Sequence, residues 1–197
     1  MRAAAIPPHI RRAPSNVTTR LTWICHGATA ANRTASFPTD EPLEEQALSE
    51  AMLPAPGRAD RVFASPALRA LQTAHMLGFD ATRAPSLRDC DYGRWTGKPL
   101  MSLHSEEPEN LALWMSDPEA SPHEGESLEQ LCKRVAGWMN EEMPLGGHVV
   151  AVTHATVIRA AILDVLKAPF ASFWTIDVQP LGIVRMTHDG RRWSLRF

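Results

Sequence analysis

The segment His148–Thr153, HVVAVT, constrains the fold more than any other stretch of the chain. A strand this apolar has no solvent side, which is the condition of a central strand in a parallel sheet covered on both faces. It runs straight into His154, after which ATVIRAAILDVL continues as a helix. A second short apolar run, Leu21–Ile24, stops in a similar way on Cys25-His26-Gly27. Arg61–Ala64 (RVFA) predicts another strand, and Ser65-Pro66 then supplies an N-cap and a first-turn proline. The helix it opens should cover one face with Leu68, Leu71, Ala74, Met76 and Leu77. Ser127-Leu-Glu-Gln130 has the pattern of a capping box. It starts a helix with Leu128, Leu131, Val135, Trp138 and Met139 at helical spacing, ended by Gly146-Gly147. Near the end, Asp189-Gly190 between two alternating runs predicts a hairpin.

Two stretches carry weaker patterns. Residues 28–52 read as a loop and a short helix, PLEEQALSEAM being its amphipathic part. Residues 85–125, rich in Pro, Asp, Glu and Trp, show no long periodic stretch apart from a helix around Leu111–Met115. They read as an excursion over one edge of the sheet, with Trp95, Trp114 and Trp174 as core or lid packing. The element order predicts an α/β protein, a three-layer α/β/α sandwich with a mostly parallel central sheet.

At 197 residues, with 44% hydrophobic and 21% charged residues, the chain suits one soluble globular domain with a full core. That domain should occupy 17–197. Residues 1–16, MRAAAIPPHIRRAPSN, read as a flexible basic extension, because Pro7, Pro8, Arg11 and Arg12 interrupt any signal-peptide core. The alternative is that the extension folds over the pocket and lends it an arginine. A net charge of −2 argues against nucleic acid and anionic membrane surfaces as partners. No run approaches 18 apolar residues, so no membrane span is expected. The three cysteines lack CxxC pairing and metal-ligand spacing, which fits a reducing cytoplasm and calls for no metal or cofactor.

Open α/β sheets place their sites beyond the carboxyl ends of the strands. Three such ends stand out: Cys25-His26-Gly27, Ser65-Pro66 with Arg69 one turn into the helix, and Thr153-His154. A lone strand-end histidine is more often structural than catalytic. Two of them, joined by an arginine whose planar fork matches phosphoryl oxygens, point to chemistry on a phosphate.

The motifs resemble those of the histidine phosphatases of the phosphoglycerate mutase-like superfamily over most of 20–197. CHGATAAN supplies His26, Gly27, Thr29 and Asn32 in register with the family's first motif. ASPALRALQTA is similar to the second, with Ser65, Arg69 and Thr73. LRDCDYGRWTG puts Asp89 at the acid position, where Glu is commoner. HEGES resembles the Gly-Glu-Ser element, and VVAVTHATVIRA the segment of the second histidine. The resemblance implies a phosphomonoesterase acting on a small phosphorylated substrate. His26 would be the nucleophile and Asp89 the general acid and base, its pKa raised by burial and by a nearby phosphate. His154, cationic or a donor, would work with Arg69 and Asn32 to neutralise the phosphoryl oxygens, with Gly27, Thr29 and Ser65 as further binding-site residues. Arg94 and Lys98, close to Asp89 in sequence, are surface charges or further contacts to an anionic substrate.

One position departs from the family pattern: its Arg-His-Gly triplet begins here with Cys25. Losing one charge-assisted donor at a transition state costs on the order of 3 kcal/mol. Another cation could offset this, such as Arg33, Arg94 or one in the extension. Three readings follow: an atypical working phosphatase, a family member that binds a phosphorylated ligand or partner without turnover, and redox or metal control through Cys25 and Cys90. A mutase is a further alternative, but the short excursion between the motifs favours hydrolysis. A homodimer is left open.

Overall fold

The computed structural model describes residues 18–49 and 58–197. The basic extension and the end of PLEEQALSEAM lie outside the described residues. Six strands form one sheet: β1 (Thr19–Cys25), β2 (Arg61–Ala64), β3 (Thr82–Arg83), β4 (Gly147–Thr153), β5 (Ile183–His188) and β6 (Trp193–Arg196). Their order is β3-β2-β4-β1-β5-β6. The first four are mutually parallel, and the β5–β6 hairpin adds antiparallel to β1. The apolar HVVAVT run is thus the inner strand it was expected to be, and five of the seven positions of β4 are buried.

The alternation of β1 and β4 divides the core between the two sheet faces. Leu21, Trp23, Cys25, Val149 and Ala151 belong to one cluster; Ile24, Val150 and Val152 belong to the other. The helices are α1 (Ala30–Arg33), α2 (Glu45–Ser49), α3 (Leu68–Met76), α4 (Leu100–Glu106), α5 (Pro108–Ser116), α6 (Leu128–Glu142) and α7 (Ala155–Leu166). Helices α6 and α7 cover the first face and α3 the second, which makes the three layers. The capping box of α6 forms as expected: Ser127 N–H donates to Gln130 Oε1 at 2.9 Å and Gln130 N–H to Ser127 Oγ at 3.2 Å.

Helix α3 differs from its sequence pattern. It starts at Leu68 behind Ala67, not at Ser65, and its first free amide donates to Asp40 Oδ1 at 2.7 Å. Its buried face is Arg69, Ala70, Thr73 and Ala74, while Leu68 stays 39% exposed. The side turned inward carries Arg69 toward the strand ends and still packs Leu71, Ala74 and Leu77 of the expected stripe on the core.

The excursion is held by two backbone segments in direct contact. Arg94 N–H donates to His123 O at 3.0 Å and Glu126 N–H to Asp91 O at 2.8 Å. A Cβ on Gly125 would stand 2.1 Å from Asp91 O, and one on Gly93 2.1 Å from His123 O. Only glycine permits that approach. Beneath it, Trp95 packs on Trp114 with ring centroids 5.7 Å apart, and Trp114 on Trp174 at 4.8 Å. The three tryptophans are packing residues.

Candidate active site

Parallel register sets the geometry. Cys25 lies opposite Thr153, and Ala64 opposite Val152, so β1, β2 and β4 end at one level. His26, Ser65 and His154, each following one of these ends, are therefore neighbours. His26 N–H donates to Thr153 O at 2.8 Å and Ser65 N–H to Val152 O at 2.9 Å. The His26 and His154 rings meet edge to face at 5.2 Å.

His26 is 6% exposed and its tautomer is fixed by its surroundings. Nδ1 lies 2.7 Å from the Gly27 carbonyl, which can only accept, so Nδ1 carries the proton. Arg69 Nε–H donates to Nε2 at 3.3 Å, so that nitrogen is unprotonated and its one in-plane lone pair accepts from Arg69 until the guanidinium is drawn away. Burial lowers the pKa of the ring, which favours this neutral form. Gly27 is pinned from behind, its N–H donating to Thr73 Oγ1 at 3.0 Å. A Cβ there would press on Leu43 at 3.2 Å.

Arg69 is 2% exposed, and all three of its nitrogens donate. Besides His26, Nη1 donates to Thr39 O at 2.7 Å and Nη2 to Asp89 Oδ2 at 2.8 Å. Asp89 also accepts from Thr156 Oγ1 and, at 2.9 Å, from the Cys90 amide. Burial would raise this carboxyl, but His154, Arg69 and the Thr156 hydroxyl outweigh it and hold the pKa at about 2. The expected raised pKa is therefore not a property of the ligand-free site.

His154, 1% exposed, is taken down to about 3 by burial, against the pull of Asp89. Of the two forms admitted from sequence, cation or donor, burial favours the neutral donor. Ser65 Oγ accepts from the Ala67 amide at 3.3 Å and lies 2.7 Å from His154 Nε2, so its own proton is free to reach that nitrogen. That leaves Nδ1–H as a donor. It faces Asp89 Oδ2 at 3.3 Å but makes no aligned hydrogen bond.

Thr29 and Asn32 sit at the start of α1. Asn32 Oδ1 accepts from Thr29 N–H at 3.0 Å and from Thr29 Oγ1 at 3.1 Å, which leaves the Asn32 amide hydrogens for the pocket. The pocket holds about 120 Å³ between His26, Thr29, Asn32, Asp89, His154 and Thr156. It shares Pro38, Asp89 and Tyr92 with a wider vestibule of about 500 Å³, walled by Arg69, Arg88 and Asp91 among others. The site residues expected from sequence are thus brought together.

Other expectations are corrected. Arg33 is drawn off by Glu44, so it does not line the pocket, and Arg94 and Lys98 both pair with Glu107, which makes them the surface charges of the two readings admitted for them. The Cys25 thiol is pushed up to about 12 by burial and then by the Asp89 carboxylate, against Arg159 and Arg69, so it is no reactive thiolate. The Cys90 thiol is likewise raised by burial. Among the described residues no three His, Cys, Asp or Glu side chains gather as a metal site.

Sequence reasoning missed Thr156, two residues past His154, and the buried pair beneath Asp89. Arg134 makes a two-pronged contact to Glu126, with Nε–Oε1 at 2.8 Å and Nη2–Oε2 at 2.6 Å, and also donates to the Asp89 carbonyl at 3.3 Å. Glu126 in the Gly-Glu-Ser element was the available signal.

The fold places the protein in the phosphoglycerate mutase-like class. The mycobacterial glucosyl-3-phosphoglycerate phosphatase superposes with a TM-score of 0.75 at 21% identity, covering 90% of this chain and 97% of that one. The α-ribazole phosphatase of Shigella flexneri gives 0.78 at 24% identity, over 90% and 94%. The chain belongs to the histidine phosphatase superfamily, branch 1, whose family model matches residues 21–197. It is 29% identical over 175 residues to the adenosylcobalamin/α-ribazole phosphatase of Salmonella typhimurium, covering 81% of this chain and 86% of that one. To phosphoserine phosphatase 1 of Hydrogenobacter thermophilus it is 26% identical over 123 residues, 59% of this chain and 58% of that protein's length. Among the described residues no helix is long and apolar enough to cross a membrane.

Proposed function

We propose that the protein hydrolyses phosphomonoesters through a phosphohistidine on His26, with Cys25 standing where the family carries an arginine. The observation that carries this reading is the locked ring of His26: Nδ1–H on the Gly27 carbonyl, and an Nε2 lone pair beside Arg69 in a phosphate-sized pocket. Nε2 attacks phosphorus in line while the P–O bond to the leaving alcohol breaks. Arg69, His154 Nδ1–H and the Asn32 amide bind the equatorial oxygens, and the His154 donor exchanges its misaligned approach to Asp89 for a phosphoryl oxygen. Thr29 and Ser65 hold Asn32 and His154 in place, and Gly27 holds His26.

A free-enzyme carboxylate at about 2 has no proton of its own to give. The substrate monoanion, whose second pKa is about 6, brings one. It passes to Asp89 as the phosphate takes over Arg69, and from Asp89 to the departing alkoxide. In the second half, Asp89 removes a proton from the water that splits the phosphohistidine.

The names of the relatives indicate candidate substrates: phosphoserine, α-ribazole phosphate and glucosyl-3-phosphoglycerate. The test is a panel of these and simpler monoesters on wild type and His26→Ala. Turnover abolished by His26→Ala, with acid-labile phosphate trapped on wild type, is the expected result; turnover indifferent to the substitution would sink the reading. A second reading, binding without turnover, is favoured by the missing arginine and by the full engagement of Arg69 inside the protein. It predicts phosphate binding with no His26-dependent turnover.

A further inference from the structure

The pocket is one cation short at Cys25, and most nearby arginines are spoken for. Arg33 pairs with Glu44, Arg94 with Glu107, and Arg88 and Arg134 with Glu126. Arg159 differs. It is half-buried on α7, and its Nε is fully buried with no hydrogen-bond partner. Its guanidinium carbon lies 5.6 Å from the centre of the Phe173 ring, an aromatic face that steadies a cation without consuming its N–H donors. A buried donor left unmade costs free energy unless some state of the protein supplies its acceptor.

The position of Arg159 says where that acceptor would be. The first turn of α7, Ala155 and Thr156, walls the catalytic pocket. Arg159 follows those two residues by four and three positions, on the same side of the helix, one turn or roughly 5–6 Å along its axis. Helical side chains lean back toward the N-terminus, so a guanidinium that rests against Phe173 can reach along the helix toward the pocket. Cys25 ends β1 next to that turn, and the positive charge of Arg159 weighs on its thiol more than that of Arg69 does. A long cationic side chain at 25 would compete with Arg159 for this space; a cysteine leaves it open.

We propose that Arg159 is the substitute cation: when a phosphoryl group enters, its guanidinium swings past Cys25 and donates to a phosphoryl oxygen. The inference rests on the phosphate-site reading above. It is tested by calorimetric binding of inorganic phosphate to His26-intact wild type, Arg159→Gln, Cys25→Arg and the double variant, with kcat and KM for p-nitrophenyl phosphate alongside. A charge-assisted hydrogen bond lost in wild type should weaken phosphate binding about tenfold or more. In the Cys25→Arg background the same Arg159→Gln change should cost less than about twofold, because the second guanidinium is then redundant. Equal losses in both backgrounds would mean a packing role against Phe173 and overturn the proposal, as would no loss in wild type. If Arg159→Gln does not fold, Arg159→Lys carries the same comparison, with a smaller loss in wild type and none beside Cys25→Arg. Phosphate bound by no protein in the set would overturn the site reading itself, and this inference with it. Phosphate bound with indifference to residue 159 would overturn the inference alone.

Discussion

Asp89 shows how much of the proposed chemistry lies in the partners of one side chain. Its carboxylate takes donors from Arg69, Thr156 and the Cys90 amide, and in the ligand-free protein it is ionised far below neutrality. Two consequences follow for kinetics. Asp89 should put no acid limb on kcat/KM between pH 4 and 8, and the rate should instead fall above about pH 6 as the substrate monoanion disappears. Asp89→Asn should cost roughly 10²–10⁴ in kcat/KM for alkyl phosphates, whose alkoxide needs a proton, and far less for p-nitrophenyl phosphate, whose phenolate does not. Equal losses on both substrates would exclude a proton-transfer role. His26, Asp89, Arg69 and His154 were legible in the sequence because each sits in a local motif. The protonation states of His26, Asp89 and His154 were not, because burial and the mutual contacts of groups from separate segments of the chain set them.

At the scale of elements, two glycines make opposite predictions. Gly125→Ala would drive a Cβ to 2.1 Å from Asp91 O, a backbone atom that cannot move alone. It should cost about 2–3 kcal/mol and loosen the loop that presents Asp89. Gly137→Ala, inside α6 with nothing within 4 Å of the new methyl, should gain about 0.5–1 kcal/mol. Urea titration of the two variants checks both signs, and a neutral Gly125→Ala would show that the two loops are not tightly joined. The contrast also explains which elements could be read. Strands β1, β2 and β4, helix α6 and the final hairpin carry local patterns strong enough to survive tertiary packing. Strand β3 has two residues and no pattern. Helix α4 begins behind Pro99 with no capping hydrogen bond and leaves Met101 74% exposed, so neither a cap nor an apolar stripe announced it. The inner face of α3 was read in part: Leu71, Ala74 and Leu77 do pack on the core, but the buried Arg69 and Thr73 share that face and Leu68 is turned outward.

At the scale of the whole molecule, convergence of three strand ends requires burying polar groups at the carboxyl edge of the sheet, and that makes stability depend on pH. Burial is the leading cause that lowers the pKa of His26 and His154 at that edge, and also of His123 in the excursion and His188 opposite Thr19 at the other end of β1, and all four are almost inaccessible to solvent. A histidine whose folded pKa is depressed stays neutral in the fold while the unfolded chain protonates below about 6.5, so the unfolded state binds more protons and stability falls as pH falls. For His154 the window runs from about 6.5 in the unfolded chain down to about 3 in the folded one. Within it, His154 removes at most about 1.4 kcal/mol per pH unit, and the other three add to the loss in the same direction. Asp89, depressed to about 2, keeps its own stabilising contribution down to the unfolded carboxyl's pKa of about 3.9 and loses it between there and about 2. Thermal melts should therefore drop clearly between pH 7 and pH 5, with more than one proton taken up on unfolding. In His154→Asn the slope against pH should shrink by about one proton, whatever that substitution does to stability at pH 7. A midpoint that is flat or rises over this range would mean that the histidines charge inside the fold. The ligand-free site would then already hold a cationic His154, and its donor to phosphate would be an imidazolium rather than a neutral ring.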